Sequence, residues 1–145
     1  PDPRLEGRVT MANPPLTLFG AAQRAMSAQL VRMNAAASNL ANAGTVTATP
    51  QAAYRPIRAI FAAEVDRASG LATVNVGGIL RENAQPVQRY EPDHPLADAQ
   101  GNIWTAPVDE NAEMVEMLDA SRQYQNLVEA LSTAKQLMLE TMRMK

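Results

Sequence analysis

The chain has 145 residues, a net charge of −2, no cysteine, 4% aromatic residues and a surplus of alanine and methionine. That composition excludes disulfides and thiolate metal sites and offers no basic stripe for nucleic acid. No run approaches the roughly 18 apolar residues needed to cross a bilayer, and the alanine and methionine content suits helix–helix packing better than an aromatic core.

Residues 1–10, PDPRLEGRVT, precede Met11, and LEGR is like a protease-cleavage linker. They are expected to be an upstream extension or a remnant of cloning, outside the fold. No charged stretch followed by an apolar stretch and a small-residue cleavage site opens the chain, so no cleaved secretion signal is expected.

Residues 11–45 form the first predicted unit, a helix from about Thr17 to Ala43. Asn13-Pro14-Pro15 punctuates its start, and Thr17 or Asn13 is a candidate cap. Phe19, Met26, Met33 and Leu40 recur every seven residues, with Ala22, Ala36 and Ala43 near the complementary positions. Such a stripe with small residues beside it lets another helix approach closely. The segment ends in SNLANAGT, with Asn39 and Asn42 on one helical face. Asparagine amides compete with the backbone inside helices, so two on one face point to a partner for those amides. Gly44 reads as the residue after the helix in left-handed conformation.

Residues 46–108 change grammar and read as a linker followed by a small β-rich insert. Ile57, Ile60, Val74 and Val76 carry strand-type alternation, Val87 to Tyr90 reads as a strand ended by prolines, and Ala99-Gln100-Gly101-Asn102 as a turn into Ile103-Trp104. An insert of this size is too small to be robust alone.

Residues 109–145 form the second long helix. Asp109 is a good N-cap, Glu110 and Glu113 place negative charge in the first turn, and Arg143 and Lys145 place positive charge at the end. Met117, Tyr124, Leu131 and Met138 recur every seven residues. The fold class expected is therefore mainly α, with long N- and C-terminal helices forming a coiled-coil-like pair that flanks a small β domain.

Chemistry finds little support. His94 is the only histidine, and with Asp93 and Asp98 it lacks the convergent ligands of a metal site. Ser38 and Ser121 have no histidine at helical spacing, and Gly77-Gly78 lacks the spacing of a phosphate loop. Trp104 reads as a core or interface anchor. No catalytic, cofactor-binding or metal-binding residue is expected, and no enzyme.

Charge distribution points outward instead. From Thr17 to Thr45 the only charged residues are Arg24 and Arg32, and from Ala120 to Met142 only Arg122, Glu129, Lys135 and Glu140. Helix faces that are polar yet uncharged are what repeated protein contact selects, whereas solvated faces carry ion pairs. An intramolecular helical hairpin accounts for one stripe per helix and leaves the outer faces unexplained. The candidate subunit and helix interface is Phe19, Met26, Met33, Asn39, Leu40 and Asn42 with Met117, Tyr124, Leu131 and Met138. A soluble helical binding module, such as an export chaperone or adaptor, is the alternative.

AASNLANAGT, Ala36 to Thr45, resembles the N-terminal signature of bacterial flagellar axial proteins, the rod and hook group. EMVEMLDASRQYQNLVEALSTAKQLMLETM, Glu113 to Met142, resembles their C-terminal helix. RYEPDHPLADAQGNI, Arg89 to Ile103, is similar to a stretch of the short, proximal-rod members. The resemblance implies a structural subunit of the basal-body rod, the drive shaft that crosses the periplasm and joins motor to hook. It implies as partners other rod proteins, copies of the chain itself and the flagellar type III export apparatus, and a route that needs no cleaved signal. It implies no cofactor.

Overall fold

The computed structural model describes residues 18–65, 67 and 70–144, so the N-terminal extension, the predicted helix start at Thr17, the candidate caps Asn13 and Thr17, and Lys145 lie outside the described residues. Helix α1 runs Leu18–Ala41. Strands β1 (Val46–Thr47), β2 (Ile57–Val65), β3 (Ala72–Arg81), β4 (Val87–Tyr90) and β5 (Asn102–Thr105) follow, and helix α2 runs Glu110–Arg143. Two terminal helices thus flank a small antiparallel β region.

The helices are antiparallel. Leu18, Ala21, Ala22 and Ala25 line up with Leu127, Ala130, Leu131 and Ala134, while Arg32 reaches Glu116 and Asp119. Ala28, Ala35, Ala36 and Asn39 are the buried residues of α1, and Glu113 and Ala120 those of α2. On α2, Met117, Tyr124 and Leu131 share the face of Glu113 and Ala120, as their three- and four-residue spacing requires.

On α1 small residues close the seam: Ala21, Ala22 and Ala25 lie against α2, Arg32 bonds to it, and Ala28, Ala35 and Ala36 are buried. The expected row of Phe19, Met26, Met33 and Leu40 stands about 100° or more around the helix from Ala28 and is half-buried. Alanine lets the two backbones approach, so the small-residue row takes the seam and the bulky row flanks it.

The β region has two sheets. β1, β5 and β4 form a three-stranded antiparallel sheet with β5 in the centre, and β2 and β3 form a separate hairpin. Ile103 of β5, 1% exposed, anchors the first sheet. In the hairpin Ile60 faces Gly78 and Phe61 faces Val76, which makes Gly77 the extra residue of a bulge. The bulge resets the alternation, so Val74 and Val76 share a face with Ile79 and Arg81.

Both helix ends near the β region are closed by side chains. Asp109 accepts from the Ala112 N–H at 3.2 Å, as its position before α2 predicts. At the end of α1, Asn42 Nδ2 donates to Ser38 O at 2.8 Å and Thr45 Oγ1 donates to Asn42 O at 2.8 Å. These bonds, with Ala43 N–H to Leu40 O at 3.2 Å, tighten the last turn. Gly44 does not have the expected left-handed conformation, because polar side chains already satisfy the free carbonyls.

The left-handed glycine that matters is Gly101, with φ +84°, in the turn predicted before Ile103. Asp98 organises that turn by accepting from Gln100 and Asn102 N–H at 2.9 and 2.8 Å. A Cβ at Gly101 would stand 2.9 Å from Tyr90 Cε2 and 3.1 Å from Pro92 Cβ. Gly101→Ala is expected to destabilise the chain by about 2 kcal/mol, combining left-handed strain with the Pro92 contact. Thermal melting of the variant checks this, and an unchanged midpoint would refute it.

Candidate functional site

Three polar clusters fix how the helices and the β region meet. The first is built on Asn39, which is fully buried. Its Oδ1 accepts from Ile57 N–H at 2.9 Å and from Tyr54 Oη at 2.8 Å, and its Nδ2 donates to Ile57 O at 3.0 Å. Ser38 Oγ lies 2.9 Å from the same tyrosine hydroxyl. The Asn39 amide therefore grips the first residue of β2 as a neighbouring strand would. Expected at a subunit interface, Asn39 instead has its hydrogen bonds committed inside the chain. Asn42 is half-buried, and its Oδ1 accepts no hydrogen bond from the described residues.

The second cluster joins hairpin to α2. Glu113, 1% exposed, is held in two-pronged fashion by Arg58 through Nη1 at 2.9 Å and Nη2. Arg58 Nε also donates to Glu82 at 2.8 Å. The hydrogen bonds to Glu113 raise the Arg58 pKa against the opposing effect of burial. Glu113 lies in the first turn of α2, where the helix N-terminus also favours negative charge.

The third cluster ties the helices together. Arg32 Nε donates to Glu116 Oε1 at 2.6 Å, Nη2 to Asp119 at 2.9 Å and Nη1 to Gln29 at 2.9 Å. The Arg32 hydrogen bond holds the Glu116 carboxyl below its ordinary value of 4.5, outweighing desolvation. A carboxyl whose folded pKa is depressed stabilises the fold above its unfolded pKa and loses that contribution as pH falls through the folded one. Stability is therefore expected to fall on acidification below about pH 4.5. Glu116→Gln should flatten this part of a pH–melting profile, and an unaltered profile would refute the assignment.

Of the other predicted interface residues, Phe19, Met26, Met33, Leu40, Met117, Tyr124 and Leu131 are half-buried. Met138 is 50% exposed, and beyond it Met142 is 66% exposed. The described residues hold no group of three or more histidine, cysteine or acidic side chains placed to bind a metal ion. His94 Nδ1 accepts from Leu96 N–H at 3.0 Å and serves its turn. No described helix is long and apolar enough to cross a membrane. The Arg58–Glu113 pair was missed in the sequence, although a first-turn glutamate at a seam position, three residues before Glu116, was a visible signal.

The two ends that build this helical seam match known families separately. A family model described as "Flagella basal body rod protein" matches residues 19–49, and one described as "Flagellar basal body rod FlgEFG protein C-terminal" matches residues 99–144. A relative from Salmonella typhimurium, "Flagellar basal-body rod protein FlgC", is 43% identical over 129 residues, covering 88% of this chain and 95% of its own length. The chain belongs to the FlgC family of flagellar basal-body rod proteins. FlgC from Yersinia enterocolitica is 39% identical over 127 residues, with 88% and 95% coverage. FlgC from Agrobacterium fabrum is 29% identical over 117 residues, with 80% and 84% coverage. The matched ends hold α1 with Asn39 and Arg32, and β5 with Glu113, Glu116 and Asp119 of α2, while the hairpin partners Ile57, Arg58 and Glu82 lie between the two matches.

Proposed function

We propose that this rod subunit assembles through its two terminal helices, packing them coiled-coil fashion against copies of itself and other rod proteins. As a FlgC-family member it is a structural subunit of the flagellar basal-body rod, located in the basal body, and not an enzyme. The observation that carries the mode of assembly is the continuation of the α2 stripe. Met117, Tyr124 and Leu131 lie along the α1 seam, and Met138 and Met142 extend the same face with at least half their surface exposed. On α1 the row of Phe19, Met26, Met33 and Leu40 flanks that seam and offers a second apolar face. Apolar surface of this kind favours protein contact, and methionine adapts to neighbours that are not identical.

In this reading residues 11–45 and 109–145 are the axial units and residues 46–108 the insert that sits further out. Asn42, with an unused amide oxygen, supplies polar specificity at the helix end. The resemblance to exported axial proteins supports delivery by the flagellar type III export apparatus into a rod that spans the periplasm.

Met138→Lys tests the reading. Because Met138 is half-exposed, the melting midpoint of the isolated chain should change little. In a strain lacking its own FlgC, the variant should be exported but leave the rod incomplete and the cells non-motile. Normal swimming would overturn the proposal.

A further inference from the structure

Two surface patches away from the helix seam have complementary character. The first lies at the base of the hairpin. The Arg81 guanidinium stands 5.6 Å from the centre of the Tyr54 ring and donates to Arg55 O at 3.0 Å. Arg55 Nη1 reaches Asn83 Oδ1 at 3.5 Å. Among the described residues neither arginine pairs with a carboxylate, whereas Arg58 beside them is doubly paired. A groove of about 430 Å³ opens next to them, lined by Pro50, Gln51, Arg55, Asn83, Gln85 and neighbouring residues, none of them acidic. Ile79, on the same face of β3 as Arg81, is 59% exposed.

The second patch is the outer face of the first turns of α2. Glu110, Met114 and Leu118 follow one another at four-residue spacing with Val115 beside them, so they form a stripe. Met114, Val115 and Leu118 are 53%, 65% and 67% exposed. Glu110 is exposed and forms no ion pair among the described residues. One patch joins unpaired positive charge to an apolar side chain, and the other joins unpaired negative charge to an apolar stripe.

We propose that the two patches bind one another between copies of this chain, the hairpin base of one copy receiving the start of α2 from the next. Such a contact uses different surfaces on the two partners, so it repeats head to tail and builds an open filament wherever its rotation does not close into a ring. Opposite charges at its edge set register and direction, and the apolar residues between them exclude water. The groove beside Arg55 gives the incoming Glu110 carboxylate a site rich in amide donors and free of competing acids. The inference rests on the reading that copies of the chain polymerise, and adds which surfaces meet and in which direction.

The absence of cysteine makes the test direct. Two differently tagged full-length chains, one carrying Arg55→Cys and the other Glu110→Cys, are mixed, allowed to associate and oxidised. A disulfide-linked heterodimer is expected, and none when Glu110→Cys is replaced by Ser132→Cys further along α2. In sedimentation of the full chain, Arg81→Glu and Glu110→Arg should each weaken self-association roughly tenfold, and combining them in one chain should restore it to within about twofold. Circular dichroism establishes that each variant is folded. If unmodified copies associate but no bridge forms, or the double reversal fails to restore association, the contact is refuted and the polymer reading stands. If unmodified copies do not associate at all, the polymer reading fails and this contact with it.

Discussion

Arg58→Met should lower the stability of the isolated chain by about 3 kcal/mol, the lower end of the cost of breaking a buried ion pair by removing one partner. Methionine keeps the apolar stem of the arginine and removes only its guanidinium. Glu113 is then left 1% exposed with neither of its two charge-assisted hydrogen bonds. The loss stays at the lower end because the Arg58 side chain is 38% exposed, so water reaches the vacated position. For a chain of this size a loss of that order lowers the melting midpoint by about 10 °C. The double variant Arg58→Met/Glu113→Met should recover most of the loss, because no charge is left stranded. A double variant as unstable as the single would locate the damage in the Glu82 contact instead. The location of the pair gives the experiment its wider meaning, since Arg58 belongs to the hairpin and Glu113 to the first turn of α2. Their bond ties the hairpin to the start of α2.

How much of this arrangement was legible depends on the range of the interaction. Asp109 as cap, the acidic first turn and the seven-residue row of Met117, Tyr124 and Leu131 are local or periodic signals, and α2 follows them from Glu110 to Arg143. The turn at Ala99 to Asn102 was equally readable, because Asp98 and Gly101 supply its chemistry within five residues. On α1 the periodicity was present twice. Hydrophobicity favours the row of Phe19, Met26, Met33 and Leu40, but close approach favours Ala21, Ala25, Ala28 and Ala35, and the small row took the seam. Size had to outweigh hydrophobicity there, and a scale that ranks alanine low conceals it. The polar clusters were least readable, since Arg32 meets Glu116 84 residues away and Arg58 meets Glu113 55 residues away. Both residues of each pair were visible as charges, but only the fold brings them together. Gly44 looked like a helix stop from composition alone, and the Asn42 and Thr45 side chains had already supplied the stop.

Asn39→Leu is expected to cost about 3–5 kcal/mol. Leucine fills a similar volume, so the loss does not come from a cavity. It comes from three groups left unbonded at once: Ile57 N–H, Ile57 O and the Tyr54 hydroxyl. A buried polar group stripped of its partner costs about 1–3 kcal/mol, and Ser38 still lies 2.9 Å from the tyrosine hydroxyl, which softens the third loss. Asn39→Asp separates chemistry from shape, because it keeps the outline and the acceptor but replaces the donor facing Ile57 O with a second oxygen. It should also destabilise, now through charge burial and lone-pair repulsion. The local signature is amide exchange at Ile57, which lies next to the buried Pro56 at the entry to β2. In both variants that amide should exchange markedly faster than those in the middle of α2. If Ile57 stays protected while global stability falls, Asn39 contributes only to helix packing. If both fall together, the amide is the joint that sets the hairpin on the helix, and the paired asparagines of the SNLANAGT segment divide their work. Asn39 then faces inward to hold the insert, and Asn42 closes the helix by donating to Ser38 O.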